Sequence, residues 1–152
     1  MMNFRSIRAT LAGVAGLLLL CPLVAHAQKK SEDVVKATAT AEKAGADGRQ
    51  VVTITLEIDP KYYVYANPVG NEDLASNQTT VTIAGKGVKI DYPAGDVKKD
   101  KIVGDYRVYK GKVTIKASVQ RSENGPLDIG VRVQACSDKA CLAPGTVKVS
   151  VP

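Results

Sequence analysis

The strongest constraint on the fold of this chain is an alternation of apolar and polar residues that recurs along most of its length. In segment 52–58, for example, Val, Ile and Leu alternate with Thr and Glu. Successive side chains of a β-strand point to opposite faces, so this pattern predicts strands with one apolar and one polar face. The segments that show it in full or in shorter form are 35–41, 52–58, 62–66, 79–84, 87–92, 113–120, 129–134 and 147–151.

Turn signals separate these segments, among them Ala46-Asp47-Gly48, Asn67-Pro68 and Asn124-Gly125-Pro126. Val and Ile outnumber Leu, which suits a β core better than a helical one. We therefore predict an all-β fold, an immunoglobulin-like antiparallel β-sandwich of about seven to eight strands. Segment 71–77 hints at a single helical turn. No repeat, linker or charge block indicates a second domain.

Residues 1–27 have the features of a secretory signal peptide. Arg5 and Arg8 form a positive start, residues 11–20 are apolar, and Ala25-His26-Ala27 is a cleavage site of the A-x-A type. The apolar run is too short to span a bilayer comfortably. We expect cleavage after Ala27, with an uncleaved anchor as the alternative, and a periplasmic domain, residues 28–152, that is soluble after cleavage. Its first residues, 28–33, are polar and expected to be frayed.

Removal of this segment excludes several classes of function. The remaining chain has no His, Met, Phe or Trp, and its formal net charge falls from +6 to +4. Histidine-based catalysis, histidine metal sites and methionine-rich copper sites are therefore excluded. Two thiolates would leave a zinc site half filled, so we expect no metal. We also expect no nucleic-acid partner, since the chain shows no recognised nucleic-acid-binding module.

Two cysteines remain after export, Cys136 and Cys141. An even number in an exported chain favours a disulfide, and four intervening residues allow a hairpin that brings the cysteines to bridging distance. In the chain-entropy model so small a ring stabilises the fold by about 2 kcal/mol. Such a bridge adds little stability as a cross-link and is well placed for exchange with another thiol. Composition and spacing alone leave both roles open.

Two further groups of residues stand out. In the run Tyr62-Tyr63-Val64-Tyr65, a strand would place Tyr63 and Tyr65 on one face, either as edge packing or as a wall beside a reactive site. Lys98, Lys99 and Lys101 form a basic cluster, either a solvated surface or a docking site for an acidic partner.

Three segments together resemble the N-terminal periplasmic domain of the thiol:disulfide interchange protein DsbD. The run Gln134–Pro144 looks like the family's Q-x-C…C-x-P-P segment, with four residues between the cysteines. Tyr62–Tyr65 is similar to the aromatic strand that flanks the disulfide. Ile102-Val103-Gly104 and the following 108–111 look like the cap loop and the strand after it. The resemblance covers most of the chain after residue 27.

The resemblance implies a fold and a set of roles. The family has an immunoglobulin-like fold and passes electrons through a cysteine pair, with no bound cofactor. Cys141 would be the attacking thiol and Cys136 would resolve the mixed disulfide. Tyr63 and Tyr65 would wall the site. The cap loop, residues 102–104, would shield the cysteines until a partner displaces it.

The implied partners are proteins. The electron donor would be a thioredoxin-like domain or a membrane-linked protein. The acceptor would be a periplasmic disulfide isomerase or a cytochrome-maturation thioredoxin. Because the chain ends at Pro152 without a transmembrane conduit, we expect a separate donor.

The sequence departs from the family pattern at two positions. Ile102 stands where the family has an aromatic residue, and Ala143 replaces the first Pro of the usual pair.

The sequence is therefore compatible with two functions. The first is a thiol–disulfide exchange module built on Cys136 and Cys141. The second is a non-catalytic binding or adaptor module in which the same bridge is structural.

Overall fold

A computed structural model describes residues 28–121 and 125–152. The predicted signal peptide, residues 1–27, lies outside the described residues. Short 3-10 helices cover Ser31–Asp33 and Glu72–Asn77. The strands of the described residues are β1 Val35–Ala41, β2 Arg49–Ile58, β3 Tyr63–Tyr65, β4 Thr80–Ile83, β5 Lys86–Asp91, β6 Asp96–Lys98, β7 Tyr106–Tyr109, β8 Lys112–Gln120, β9 Leu127–Val133, β10 Ala135–Cys136 and β11 Gly145–Val151.

The strands form three sheets, in the orders β1-β2-β8-β5, β10-β3-β7-β6 and β11-β9-β4. Neighbouring strands in each sheet pair antiparallel, as the sequence predicts. In the first sheet Ile54 of β2 lies opposite Ala39 of β1 and Ile115 of β8. In the third sheet Val131 of β9 lies opposite Val81 of β4 and Val147 of β11.

The core lies between the apolar faces that the alternation predicts. Ile54, Ile115 and Val131 are all fully buried and belong to one hydrophobic cluster. Val64 of β3 and Ala135 of β10 join the same cluster, so the second sheet closes one side of it. Each fully buried aliphatic side chain contributes roughly 1.5–3 kcal/mol to folding through the hydrophobic effect.

The predicted immunoglobulin-like β-sandwich is confirmed, and all eight predicted strands are present. The count of about seven to eight strands is too low for the described residues because the alternation missed β6, β7 and β10. These strands have only two to four residues, and no recognisable alternating run in the surrounding sequence marks them. The β7 strand matches the strand that the resemblance placed after the cap loop. The predicted helical turn at 71–77 is the second 3-10 helix.

The polypeptide changes sheets at Gln134. Val133, the last residue of β9, lies opposite Gly145 of β11 in the third sheet. Ala135, two residues later, lies opposite Val64 of β3 in the second sheet. This crossing carries the chain from the centre of one sheet to the edge of another and delivers Cys136 beside the aromatic strand.

We expect the contact between the first and third sheets to dominate stability. Ile54→Ala should lower the free energy of unfolding by about 2–5 kcal/mol, because it leaves a cavity at a fully buried position. Lys116→Ala, on the exposed face of β8, should change it by less than about 0.5 kcal/mol. Urea denaturation of both variants checks this. Equal losses would show that Ile54 does not lie in the core.

Candidate redox site

Cys136 and Cys141 form a disulfide with an S–S distance of 2.00 Å and a Cα–Cα distance of 3.9 Å. Cys136 lies in β10, opposite Tyr63 of β3, and also makes a β-bridge with Cys141. We call residues 136–141 the disulfide loop. The bridge therefore joins an edge strand of the second sheet to the return arm of its own hairpin.

Backbone hydrogen bonds shape the disulfide loop into a tight turn. The Ser137 N–H donates to the Ala140 carbonyl at 2.9 Å, and the Leu142 N–H donates to the Ala135 carbonyl at 2.8 Å. The Ser137 hydroxyl accepts the N–H groups of Lys139 and Ala140, each at 3.2 Å. These contacts hold the two cysteine-bearing arms side by side.

The two cysteines differ sharply in exposure. Cys136 has no exposed surface and packs in a small cluster with the tyrosines, whereas Cys141 is exposed. An incoming thiolate would meet the exposed residue first, so an exchange reaction would start at Cys141. The buried Cys136 would then be the leaving sulfur.

Three tyrosines surround the buried side of the bridge. Tyr63 and Tyr65 project from one face of β3, as predicted, while Val64 points into the main core. Their rings lie 6.5 Å and 5.6 Å from the ring of Tyr106 on β7, centroid to centroid. All three are at least nine-tenths buried and pack with Cys136. The sequence alone does not assign Tyr106 to this site, because β7 is too short to reveal which face the side chain uses.

Two hydroxyl contacts connect this cluster to the sulfur atoms. The Tyr65 hydroxyl lies 3.7 Å from Cys136 Sγ and 3.9 Å from Cys141 Sγ. Disulfide sulfurs carry no proton, so Tyr65 is the donor in these weak contacts. The hydroxyls of Tyr63 and Tyr106 lie 3.2 Å apart.

Burial raises the pKa of all three phenols. It raises the pKa of Tyr106 to about 12, with a further contribution from the hydrogen bond to Tyr63. For Tyr63 and Tyr65 burial is also the main cause of the raised pKa, and for Tyr65 the positive charge of Lys98 acts in the opposite direction. The cluster therefore stays neutral at any physiological pH.

The raised pKa of Tyr106 predicts a loss of stability at high pH. A phenol with a higher pKa in the folded chain than in the unfolded chain favours folding below about pH 10, and this contribution is lost as the pH rises through about 12. The free energy of unfolding should fall across this range, and Tyr106→Phe should reduce that fall. Urea denaturation at a series of pH values measures it, and an identical pH profile in Tyr106→Phe would contradict the assignment.

Lys98 connects the tyrosine cluster to the disulfide loop. Its ammonium group lies 4.2 Å from the centre of the Tyr63 ring and 2.9 Å from Asp138 Oδ1 in the disulfide loop. The hydrogen bond and charge of Lys98 lower the pKa of Asp138. Lys99 pairs with Asp105 at 3.2 Å. Two of the three basic residues that the sequence grouped together thus have carboxylate partners, which leaves less positive charge for an acidic partner to meet.

The cap loop lies between β6 and β7, and hydrogen bonds define its shape. Asp100 accepts the N–H groups of Ile102 and Val103 at 2.8 Å and 3.1 Å. The Asn71 side chain donates to the Val103 carbonyl at 2.8 Å. Gly104 has a φ of +86°, which favours glycine at that position. Ile102 is 94% exposed, so its side chain does not cover the disulfide.

The ion pair between Lys98 and Asp138 can be tested by titration. Lys98→Gln should raise the pKa of Asp138 toward its ordinary value, since the main cause of its lowering is removed. The pKa of Asp100 should stay low, because the N–H groups of Ile102 and Val103 are its main cause. Carboxyl-carbon NMR titration of both residues checks this. An unchanged pKa for Asp138 would show that the pair does not form in solution.

Two other properties of the described residues bear on function. In the ranges 28–121 and 125–152 no group of three or more His, Cys, Asp or Glu side chains is placed to hold a metal ion. Within the same ranges no helix is long and apolar enough to cross a membrane.

The fold and the site together define a class of domain. It is an immunoglobulin-like β-sandwich in which a half-exposed disulfide packs against buried tyrosines. Residues 31–152 match the family described as "Thiol:disulfide interchange protein DsbD, N-terminal". The chain belongs to this family, which confirms the resemblance found in its sequence. No curated protein matches the chain.

Solved structures of the same fold include members of this family. The reduced DsbD N-terminal domain of Neisseria meningitidis is 16% identical with a TM-score of 0.56, and the match covers 81% of this chain and 88% of that one. The N-terminal periplasmic domain of ScsB from Proteus mirabilis is 14% identical with a TM-score of 0.61, over 78% of this chain and 46% of that one. A complex between the DsbD N-terminal and PilB N-terminal domains of Neisseria meningitidis contains a chain that is 16% identical with a TM-score of 0.51, over 74% of this chain and 80% of that one.

Proposed function

We propose that the protein is a periplasmic thiol–disulfide exchange module that carries electrons through Cys136 and Cys141. The observation that carries this proposal is the asymmetry of the bridge, in which Cys141 is an exposed residue and Cys136 is fully buried. Membership of the DsbD N-terminal family supports it. The family also supports a periplasmic location, and with it export by residues 1–27 and a functional domain of residues 28–152.

The exchange reaction follows from this asymmetry. A partner thiolate attacks Cys141 Sγ, the Cys136–Cys141 bond breaks, and Cys136 leaves as a thiolate within reach of the Tyr65 hydroxyl. A second partner thiolate then attacks the partner's sulfur in the mixed disulfide and releases Cys141. The partner ends as a disulfide, and two electrons have passed to Cys136 and Cys141. In the reverse direction the Cys141 thiolate attacks an oxidised partner, and Cys136 resolves the intermediate.

The residues around the bridge have separate roles in this scheme. Tyr63 and Tyr65 wall the buried side and keep water from Cys136. The cap loop, Ile102, Val103 and Gly104, exposes two apolar side chains on which a partner would dock. The reaction needs no bound cofactor or metal, since both electrons reside on sulfur.

We infer that the partners are thioredoxin-like domains. The donor would be a thioredoxin-like or membrane-linked protein. The acceptor would be a periplasmic disulfide isomerase or a cytochrome-maturation thioredoxin. The solved complex between the DsbD and PilB N-terminal domains supports a protein domain as the partner. The exposed cysteine is consistent with this size of partner, because its sulfur needs no deep pocket to be reached.

Trapping the mixed disulfide tests the proposal. Cys136→Ser removes the thiol that would resolve the mixed disulfide on Cys141, so this variant should accumulate a covalent adduct with an oxidised thioredoxin-like domain, seen on a non-reducing gel. Cys141→Ser is the matched control and should form little adduct, because Cys136 is fully buried. Equal trapping by both variants would contradict the assigned roles.

A measurement of the reduction potential of the bridge would distinguish the exchange function from the alternative, a structural bridge. A working exchange couple should lie within roughly −120 to −270 mV, the range of known exchange proteins. A potential below about −300 mV, together with no adduct from Cys136→Ser, would indicate a structural bridge in a binding or adaptor module. In that case the Cys136→Ser, Cys141→Ser double variant should retain binding and lose only modest stability.

A further inference from the structure

One buried hydroxyl group lies far from the cysteines in sequence and next to them in space. Ser31, in the short 3-10 helix near the start of the described residues, has no exposed surface. The sequence predicted frayed ends for residues 28–33, and burial of Ser31 contradicts this for that residue. Val34 and Val35, also buried, anchor the segment to the main core.

Ser31 bonds to both arms of the disulfide loop. Its hydroxyl oxygen accepts the Ala135 N–H at 2.9 Å and donates its own proton to the Ala143 carbonyl at 2.7 Å. The Ser31 N–H donates to the same carbonyl at 3.1 Å. Ala135 directly precedes Cys136, and Ala143 follows Cys141 by two residues. One side chain thus ties the base of the loop together.

We propose that Ser31 is a positioning residue that holds the two arms at bridging separation and thereby favours the disulfide over the dithiol. The proposal deepens the proposed function and rests on it in one respect, that the bridge opens and closes. The backbone bonds within the hairpin join the arms directly, and the Ser31 hydroxyl adds a bridge between the Ala135 N–H and the Ala143 carbonyl, which the hairpin itself leaves unlinked.

A comparison of the disulfide and dithiol forms shows in which direction loss of the Ser31 hydroxyl shifts the equilibrium between them. Reduction by a small dithiol breaks the S–S bond and adds two electrons and two protons, giving two thiols and a cyclic disulfide of the reagent. In the disulfide form the covalent bond keeps the arms in place, so without the Ser31 hydroxyl the buried Ala135 N–H would lack its acceptor. In the dithiol form the arms can separate and water can reach that N–H. Loss of the hydroxyl therefore costs the disulfide form more.

Equilibration of the purified protein with dithiothreitol tests the proposal without any partner protein. Ser31→Ala should shift the equilibrium constant about tenfold toward the dithiol, equivalent to a potential about 30 mV less negative. The matched control is Glu32→Ala. The Glu32 carboxylate accepts the Thr146 N–H at 3.1 Å and so ties the same segment to β11 without touching the disulfide loop. This control should leave the equilibrium constant unchanged.

The outcomes separate positioning from general stability. If Ser31→Ala lowers the free energy of unfolding equally in both redox states and leaves the potential unchanged, Ser31 is only structural and the proposal fails. An equal shift of the potential in Glu32→Ala also overturns it. If Ser31→Ala shifts the potential as expected but Cys136→Ser forms no partner adduct, the proposed function is rejected and this inference stands.

Hydrogen exchange of the unsubstituted protein covers the case in which Ser31→Ala does not fold. The Ala135 amide should be protected in the disulfide form and should exchange faster in the dithiol form, as the arms gain freedom. A freely exchanging Ala135 amide in the disulfide form would show that the Ser31 hydroxyl does not hold it, and would overturn the proposal.

Discussion

The packing of β2 and β8 against β9 is the contact on which the rest of the molecule depends. Each of these strands has one apolar face, and a slip of one residue in any of them would turn that face to solvent, so the register is strongly fixed. β9 ends at Val133, and directly after the crossing at Gln134 the residues Ala135 and Cys136 pair with β3. The geometry of the redox site is therefore a consequence of core packing in a neighbouring sheet.

This placement separates the environments of two cysteines that are five residues apart. Cys136 ends under the rings of Tyr63, Tyr65 and Tyr106, where burial also keeps the phenols neutral. Cys141 stays on the return arm, in contact with solvent. In the proposed exchange reaction a partner would therefore attack Cys141 before Cys136.

Residues from distant parts of the chain control the loop between these cysteines. Lys98 bonds to its tip through Asp138, and Ser31 bonds to its base through Ala135 and Ala143. The two contacts differ in strength for a physical reason. Asp138 is almost fully exposed, so water screens its ion pair, whereas the Ser31 hydroxyl and the Ala135 N–H that it accepts are both buried. The base of the loop is therefore the more rigidly held end.

The sequence by itself determined the β-sandwich, eight of its strands, the shared face of Tyr63 and Tyr65, and the pair of cysteines available for a bridge. Each of these is a local pattern of period two or a local spacing. The tertiary structure alone decided which cysteine is buried, that Tyr106 joins the site, that Ile102 points to solvent, and that Ser31 bonds to the loop. The physical reason is distance along the chain. The bonds from Ser31 span 104 and 112 residues, and the pair of Lys98 with Asp138 spans 40, so each exists only once the sheets have packed.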